Sequence, residues 1–182
     1  MKYDISILVT TYNDNNHLDL LLKNISNLNL KNYKTELIIL DAGKYTKKRA
    51  LKNIDNQSIN CIFISKKNLG REKSLNVIFD LAKGRYLIRL DARTKICKDY
   101  VLRLVNLLKI NDVVCAGGIL KSIGKSAAQK RVASIMNHPF SFGFAPFRIT
   151  KELKKVNSVY LGAYDKKRCE ELLKGEKWFE EN

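Results

Sequence analysis

Five short runs of nearly unbroken apolar residues stand out along the chain: Ile5 to Thr10, Leu37 to Leu40, Cys61 to Ser65, Tyr86 to Leu90 and Val113 to Ala116. Runs of this length without polar alternation read as strands covered on both faces, as in a parallel sheet. Between them the spacing becomes helical. Leu18, Leu21, Leu22 and Ile25 recur at i, i+3, i+4 and i+7, as do Leu75, Ile78, Phe79 and Ala82, and then Val101, Leu104, Val105 and Leu108. Each set falls on one face of a helix. Strand alternating with helix at this rhythm predicts an α/β domain, a doubly wound and mostly parallel sheet with helices on both faces.

The pattern loosens after Gly118. Lys121 to Lys130 is polar, and the stretch from His138 to Phe147 holds both prolines and four of the seven Phe residues. Aromatics clustered around turn residues predict a packed surface loop or a flap over a site. Val156 to Tyr160 reads as a further strand, and Asp165 is placed to cap a last helix running to Lys174. No internal repeat or linker divides the 182 residues, a length suited to one domain over 1–182.

Charge narrows the partners. Thirty-four basic against 18 acidic residues leave a net +16, which draws the chain toward nucleotides, nucleic acid or an anionic membrane face. A solvated Lys-rich surface would look the same. Nucleic acid ranks last, because no recognition-helix motif or RNA-binding aromatic signature is present. No apolar run approaches a membrane span, and the N-terminal apolar stretch is too short for a secretory signal. A cytoplasmic protein is expected, with peripheral contact at the inner membrane face. Cys61, Cys97, Cys115 and Cys169 are scattered, without a Cys-x-x-Cys pair, so buried reduced thiols are expected rather than zinc or disulfides.

In an open α/β sheet, ligands bind beyond the carboxyl ends of the strands. The polar residues there are Thr10-Thr11-Tyr12-Asn13 after the first run, Asp41-Ala42-Gly43 after the second and Asp91-Ala92-Arg93 after the fourth. Asn68-Leu69-Gly70-Arg71-Glu72-Lys73, and later Asn76, follow the third. Four polar ends, two carrying an aspartate, point to a ligand without naming it. Of the two histidines, His17 reads as an exposed or capping residue, and His138 has a minor claim to an acceptor contact.

Taken in order, these segments resemble the family 2 inverting glycosyltransferases. The matching elements are Val-Thr-Thr-Tyr-Asn, Glu-Leu-Ile-Ile-Leu-Asp-Ala-Gly, Asn-x-Gly with a later Asn, and Gly-x-Tyr-x-x-x-x-Asp-Ala-x. The fold of that family is the nucleotide-diphospho-sugar transferase-like GT-A type. Val156 to Tyr164 is similar to the branch that builds succinoglycan-type exopolysaccharides. The resemblance implies transfer of a sugar from a nucleoside-diphosphate donor, expected to be a UDP-sugar, to a polysaccharide or glycolipid acceptor in cell-surface polysaccharide biosynthesis. Carried over by position, Thr11 and Tyr12 would line the base pocket, Asn13 would belong to the nucleotide-sugar site, and Asp41 would accept a hydrogen bond from base or ribose. Asn68, Gly70 and Lys73 would border ribose and diphosphate. Asp91 would be the first acid of an Asp-x-Asp element that holds Mg²⁺ or Mn²⁺ on the diphosphate.

The chain departs from the family pattern at three places. Arg93 stands where the second acid of the Asp-x-Asp element belongs, so metal binding is expected to be weakened: either Arg93 pairs with phosphate in the cation's place, or the metal is held by Asp91 and the diphosphate alone, or metal-dependent activity is lost. Ala42 stands where the strand-two motif usually has a second acid. The chain stops at Gly175-Glu176-Lys177-Trp178-Phe179-Glu180-Glu181-Asn182, a patch that in the family precedes the general base. The expectation is a domain lacking the C-terminal part of a complete member, with no general base and no assigned catalytic residue. The alternative is a catalytically silent nucleotide-binding subunit or a truncated fragment.

Overall fold

β1 (Tyr3–Thr11), β2 (Thr35–Asp41), β3 (Ile59–Ser65) and β4 (Gly84–Asp91) form the parallel part of a six-stranded sheet, with β5 (Cys115–Gly118) and β6 (Tyr160–Asp165) at one side. The strand order is β3-β2-β1-β4-β6-β5, and β6 runs antiparallel to both neighbours. This computed structural model describes residues 2–30, 32–54, 58–110, 113–142, 148, 152–156 and 159–179. The helices are α1 (Asn15–Ser26), α2 (Lys47–Lys52), α3 (Arg71–Leu81), α4 (Tyr100–Ile110), α5 (Ala127–Met136) and α6 (Lys166–Leu173). The result is the expected α/β architecture, a mostly parallel sheet with helices around it.

Alternation along the strands explains why they look apolar throughout. Ile5, Ile7 and Val9 of β1 join Leu37 and Ile39 of β2 in a core with Leu18, Leu21, Leu22 and Ile25 of α1 and with Val101, Leu104 and Val105 of α4. Leu8, Ile38, Leu40 and Leu87 project to the other face and pack on Leu75, Ile78 and Phe79 of α3. Successive side chains of a strand point to opposite faces, so a strand covered on both sides needs an apolar residue at nearly every position.

The amino-terminal end of the sheet is tied by a buried polar cluster. Ser6 Oγ donates to Glu36 Oε1 at 2.5 Å, and that oxygen also accepts from the Lys83 backbone N–H at 2.6 Å. The Gly84 N–H donates to Ser6 Oγ at 2.8 Å. A Cβ at Gly84 would lie 2.6 Å from the Ser6 backbone nitrogen, so glycine is what lets β4 approach β1 there.

Several expectations shift. The last strand is Tyr160–Asp165, not Val156 to Tyr160, and Asn157 and Ser158 lie outside the described residues. Gly162 interrupts the apolar run and hid the strand. It is needed there because a Cβ would come within 2.9 Å of Cys115 Sγ and of Val159. Helix α5 was missed because it leaves Val132 and Ile135 exposed and buries only Ala133, although Ser126 and Gln129 form a reciprocal capping box. Asp165 does cap α6, accepting from the Arg168 N–H, and the helix ends at Leu173 with Lys174 in the left-handed conformation. The thiols are free, but Cys97 is exposed and only Cys169 is fully buried, contrary to the expectation of four buried ones. Within the aromatic stretch, Pro139–Phe142 is a 3₁₀ turn with Phe140 exposed, and Phe144, Pro146 and Phe147 lie outside the described residues. No helix among the described residues is long and apolar enough to cross a membrane.

The segment after α6 folds back onto α3. The Phe79 ring lies 5.0 Å from that of Phe179, 5.2 Å from Trp178 and 5.6 Å from Tyr164, centroid to centroid. The Asn76 side chain brackets the backbone of Phe179, donating to its carbonyl and accepting from its N–H, each at 2.9 Å. Trp178 Nε1 donates to Asp80 at 3.0 Å. Glu180 and Glu181 lie outside the described residues. Phe79→Ala is expected to cost about 3–5 kcal/mol, the usual range for a buried phenylalanine. Trp178 is the single tryptophan, so the same variant should red-shift the native fluorescence spectrum; an unchanged spectrum would show that the segment docks without Phe79.

Candidate functional site

The carboxyl ends of β1, β2 and β4 and the start of α3 open into a cleft of about 660 Å³. Thr10, Thr11, Tyr12, Asp14, Ala42, Asn68, Gly70, Arg71, Ser74, Asp91, Arg93 and Tyr160 line it, with Leu69 and Ala92. Parallel pairing sets this convergence. Thr11 of β1 is in register with Asp41 of β2, and Thr10 with Asp91 of β4.

On the β2 side, Asp41 is fully buried beneath the cleft wall. Its Oδ2 accepts from the Gly43 N–H at 3.0 Å and the Tyr45 N–H at 2.9 Å, which holds the turn after β2. Its Oδ1 is buried with no hydrogen-bond partner, and so is Thr11 Oγ1. Burial pushes the Asp41 carboxyl above the usual carboxylate range, outweighing the two backbone N–H groups that favour its charge. Tyr45 is fixed from behind: its hydroxyl donates to Asp19, which also holds Arg49 through Nε and Nη2. Above this wall, Tyr12 presents an aromatic ring that is 61% exposed.

The middle of the cleft is the N-terminus of α3. Asn68 takes a positive φ of 57° and donates its N–H to the Ala42 carbonyl at 2.9 Å, turning the chain from β3 into the helix. Asparagine tolerates this left-handed conformation better than most residues. Gly70 is the N-cap and contributes no side-chain cap, and a Cβ there would meet nothing within 4 Å. Gly70 and Arg71 line the cleft, so the N-terminus of α3 borders it, an arrangement that favours anions.

On the β4 side, Asp91 is crowded by cations. Arg89 Nη2 lies 3.1 Å from Oδ1, and Arg71 Nη2 lies 3.7 Å from Oδ2. The Tyr160 hydroxyl donates to Oδ2 at 3.5 Å. Burial, then the Asp91 charge, raises the Tyr160 phenol. Asp14 stands at the lip, with Oδ2 accepting from Arg93 Nε at 2.6 Å and Oδ1 2.7 Å from His17 Nδ1. Burial opposes ionisation of Asp14, but Arg93 and His17 win and hold its carboxyl below the usual range.

Of the residues expected from sequence, Thr11, Tyr12, Asn68, Gly70, Asp91 and Arg93 line the cleft. Three expected residues do not. Asp41 lies behind the wall; Lys73 is exposed on α3 away from the lining residues; and Asn13, with φ of 52°, packs against Gly43. The cleft residues given no role from sequence were Asp14, Arg71 and Tyr160, and Arg89 pairs with Asp91 from outside the lining. Arg71 follows the Asn-x-Gly element directly, and Arg89 lies two positions before Asp91, one pleat repeat apart on the same strand face. Those spacings were legible.

The donor set does not fit a divalent cation. Among the described residues, no three His, Cys, Asp or Glu side chains gather for one. Asp91 is a single carboxylate already facing two guanidiniums, and Arg93 is engaged with Asp14. Two unit charges about 4 Å apart interact by roughly 4 kcal/mol at an effective dielectric near 20. A divalent ion at Asp91 would meet repulsion from Arg71 and Arg89 on the order of the attraction Asp91 supplies.

With this geometry in place, comparison with known proteins decides the lineage. The sequence matches the profile "Glycosyl transferase family 2" over residues 6–173. The chain belongs to glycosyltransferase family 2. A cholesterol galactosyltransferase of Borreliella burgdorferi is 27% identical over 144 residues, covering 77% of this chain and 39% of that protein. Among solved structures, a Pyrobaculum calidifontis mannosyltransferase in complex with GDP-Man and Mn²⁺ aligns over 94% of this chain and 47% of its own, at 16% identity and TM-score 0.62. Staphylococcus aureus TarS 1-349 in complex with UDP-GlcNAc aligns over 94% and 46%, at 16% identity and TM-score 0.66. These likenesses establish a GT-A fold for this family 2 domain, which spans less than half the length of each of these relatives.

The buried carboxylate of the family 2 domain makes a pH prediction. Because the folded-state value of Asp41 is raised above the unfolded one of about 3.9, its contribution to stability is fully present below the unfolded value. That contribution is lost as pH rises through the folded value. Asp41→Asn removes this loss. Relative to the unmodified protein, the variant should gain melting temperature between pH 4 and pH 7; a pH-independent difference would show that the carboxyl is not perturbed.

Proposed function

We propose that this family 2 domain binds a nucleoside-diphosphate sugar, with UDP as the favoured nucleotide, and transfers the sugar to an acceptor hydroxyl. One observation carries the reading: Thr11, whose Oγ1 has no hydrogen-bond partner, the exposed Tyr12 ring and the α3 N-terminus at Gly70 and Arg71 line one cleft. A polar ring edge would satisfy the Thr11 hydroxyl, while the ring face stacks on Tyr12. Asn68, Gly70 and the α3 N-terminus then border the diphosphate. The structures with UDP-GlcNAc and with GDP-Man support the donor class.

In the transfer, the acceptor oxygen bonds to the anomeric carbon as the bond from that carbon to the diphosphate oxygen breaks. The nucleoside diphosphate leaves with the electron pair, and the acceptor proton passes to a base. The cleft-lining carboxylates are Asp14 and Asp91, and both are held by guanidiniums, so neither is set up as that base. This favours, as a second reading, a donor-binding domain that is silent alone. Donor turnover by the isolated chain separates the two, since rapid transfer would rule the second out.

Calorimetry with UDP and GDP tests the binding. Thr11→Val, which keeps shape and removes the hydroxyl, should weaken UDP roughly tenfold, within the about 1–3 kcal/mol range for a lost buried hydrogen-bond partner. No binding of either nucleotide would sink the reading.

We propose further that the acceptor is a glycolipid or lipid-linked saccharide of a surface polysaccharide, met at the inner membrane face. The galactosyltransferase relative, whose name specifies a sterol acceptor, supports a lipid. So does the face around α5. There Ile123, Val132, Ile135 and Phe140 are exposed among Lys121, Lys125, Lys130 and Arg131. Apolar side chains among lysines and arginines suit an anionic bilayer. The protein should sediment with vesicles containing anionic lipid and not with purely zwitterionic ones. Val132→Asp with Ile135→Asp should abolish sedimentation; retention by this double variant would exclude the α5 face.

A further inference from the structure

We infer that this domain neutralises the donor diphosphate with Arg71 and Arg89 in place of a divalent cation, Asp91 holding the two guanidiniums at the α3 N-terminus. The inference rests on the nucleoside-diphosphate reading of the cleft and adds how its charge is met.

Arg71 is the first residue of α3, an eleven-residue helix, and its side chain is 63% exposed at the cleft. The guanidinium and the first N–H groups of the helix therefore serve the same space. Arg89 comes from the other side, on β4, and its side chain is only 19% exposed. Its Nε is buried without a hydrogen-bond partner. Arg89 does not itself line the cleft, so its positive charge acts on an anion there from behind Asp91. Between them, Asp91 contacts Arg89 at hydrogen-bond distance and Arg71 at 3.7 Å. The longer contact is an ion pair without a hydrogen bond, so Arg71 can exchange the carboxylate for a phosphate oxygen without losing one.

Local charge agrees. Around the cleft the guanidiniums of Arg71, Arg89 and Arg93 outnumber the carboxylates of Asp14 and Asp91. An excess of fixed positive charge attracts a diphosphate and repels a metal ion. Arg93, the residue that replaces the second acid, is not the one that takes over: its Nε is committed to Asp14 at 2.6 Å. Its substitution removes a metal ligand, and Arg71 and Arg89 supply the compensating charge. In the transfer step they stabilise the negative charge that accumulates on the departing diphosphate oxygen.

The test is UDP binding by calorimetry in EDTA and in saturating Mn²⁺, with uridine binding followed by ligand-observed NMR. UDP affinity should change less than about threefold between the two conditions. Arg71→Gln and Arg89→Gln should each lower UDP affinity tenfold or more while leaving uridine binding and melting temperature unchanged. A requirement for Mn²⁺, or a tenfold gain from it, would overturn the inference while leaving the nucleotide reading intact. So would Arg variants that bind UDP normally. If neither UDP nor uridine bound under either condition, the nucleotide reading would fall, and this inference with it.

Discussion

The parallel registration of β1 between β2 and β4 is the constraint from which the site follows. It sets Thr11 beside Asp41 and Thr10 beside Asp91, so both strand-end aspartates flank one dipeptide from opposite sides. A slip of one residue would exchange the faces of every side chain in the slipped strand. It would drive Ile7 and Val9 out of the α1–α4 core and Leu8 out of the α3 core. The two apolar layers thus enforce the register, and the register delivers the cleft. At the far end of the sheet, the Ser6–Glu36 pair and the close approach at Gly84 act against the same slip.

On that frame the two aspartates have diverged. Asp41 is internal, uncrossed by any cation, and its carboxylate is spent partly on the backbone of the turn that follows it. Asp91 is partly exposed and surrounded by positive charge. Family membership predicts similar motif positions but not this division of labour, which depends on residues outside the motifs. Arg71 and Arg89 both pair with Asp91, which leaves that carboxylate organising two guanidiniums.

Much of this could be read from the sequence, for identifiable reasons. The parallel strands and α1, α3 and α4 bury continuous or strictly periodic apolar sets, so pattern and structure coincide. Strand β6 was misplaced because Gly162 breaks its apolar run, and α5 was missed because it buries almost nothing and its only signal is the Ser126–Gln129 cap. Within the site, positions were legible and orientations were not. Motif order placed Asp41, Asn68, Gly70 and Asp91 near one another. Whether a side chain faces the cleft, as Arg71 does, or the solvent, as Lys73 does, depends on helical phase at the first turn of α3. That Arg93 turns to Asp14 rather than inward depends on a contact across 79 positions. Asn76 gave no sign that its amide would be used by the backbone of Phe179.

The unsatisfied oxygens of Asp41 and Thr11 also bear on how long a molecule of this protein lasts. Buried polar atoms without partners weigh against the folded state, so these two oxygens narrow the margin of stability beside the cleft. A ligand present at a hundred times its dissociation constant adds about 2.7 kcal/mol to a fold that it alone recognises. Where the unfolded fraction feeds proteolysis, a change of that size alters steady-state abundance severalfold. Any molecule that binds only the folded cleft would therefore also slow the loss of the domain through its unfolded state.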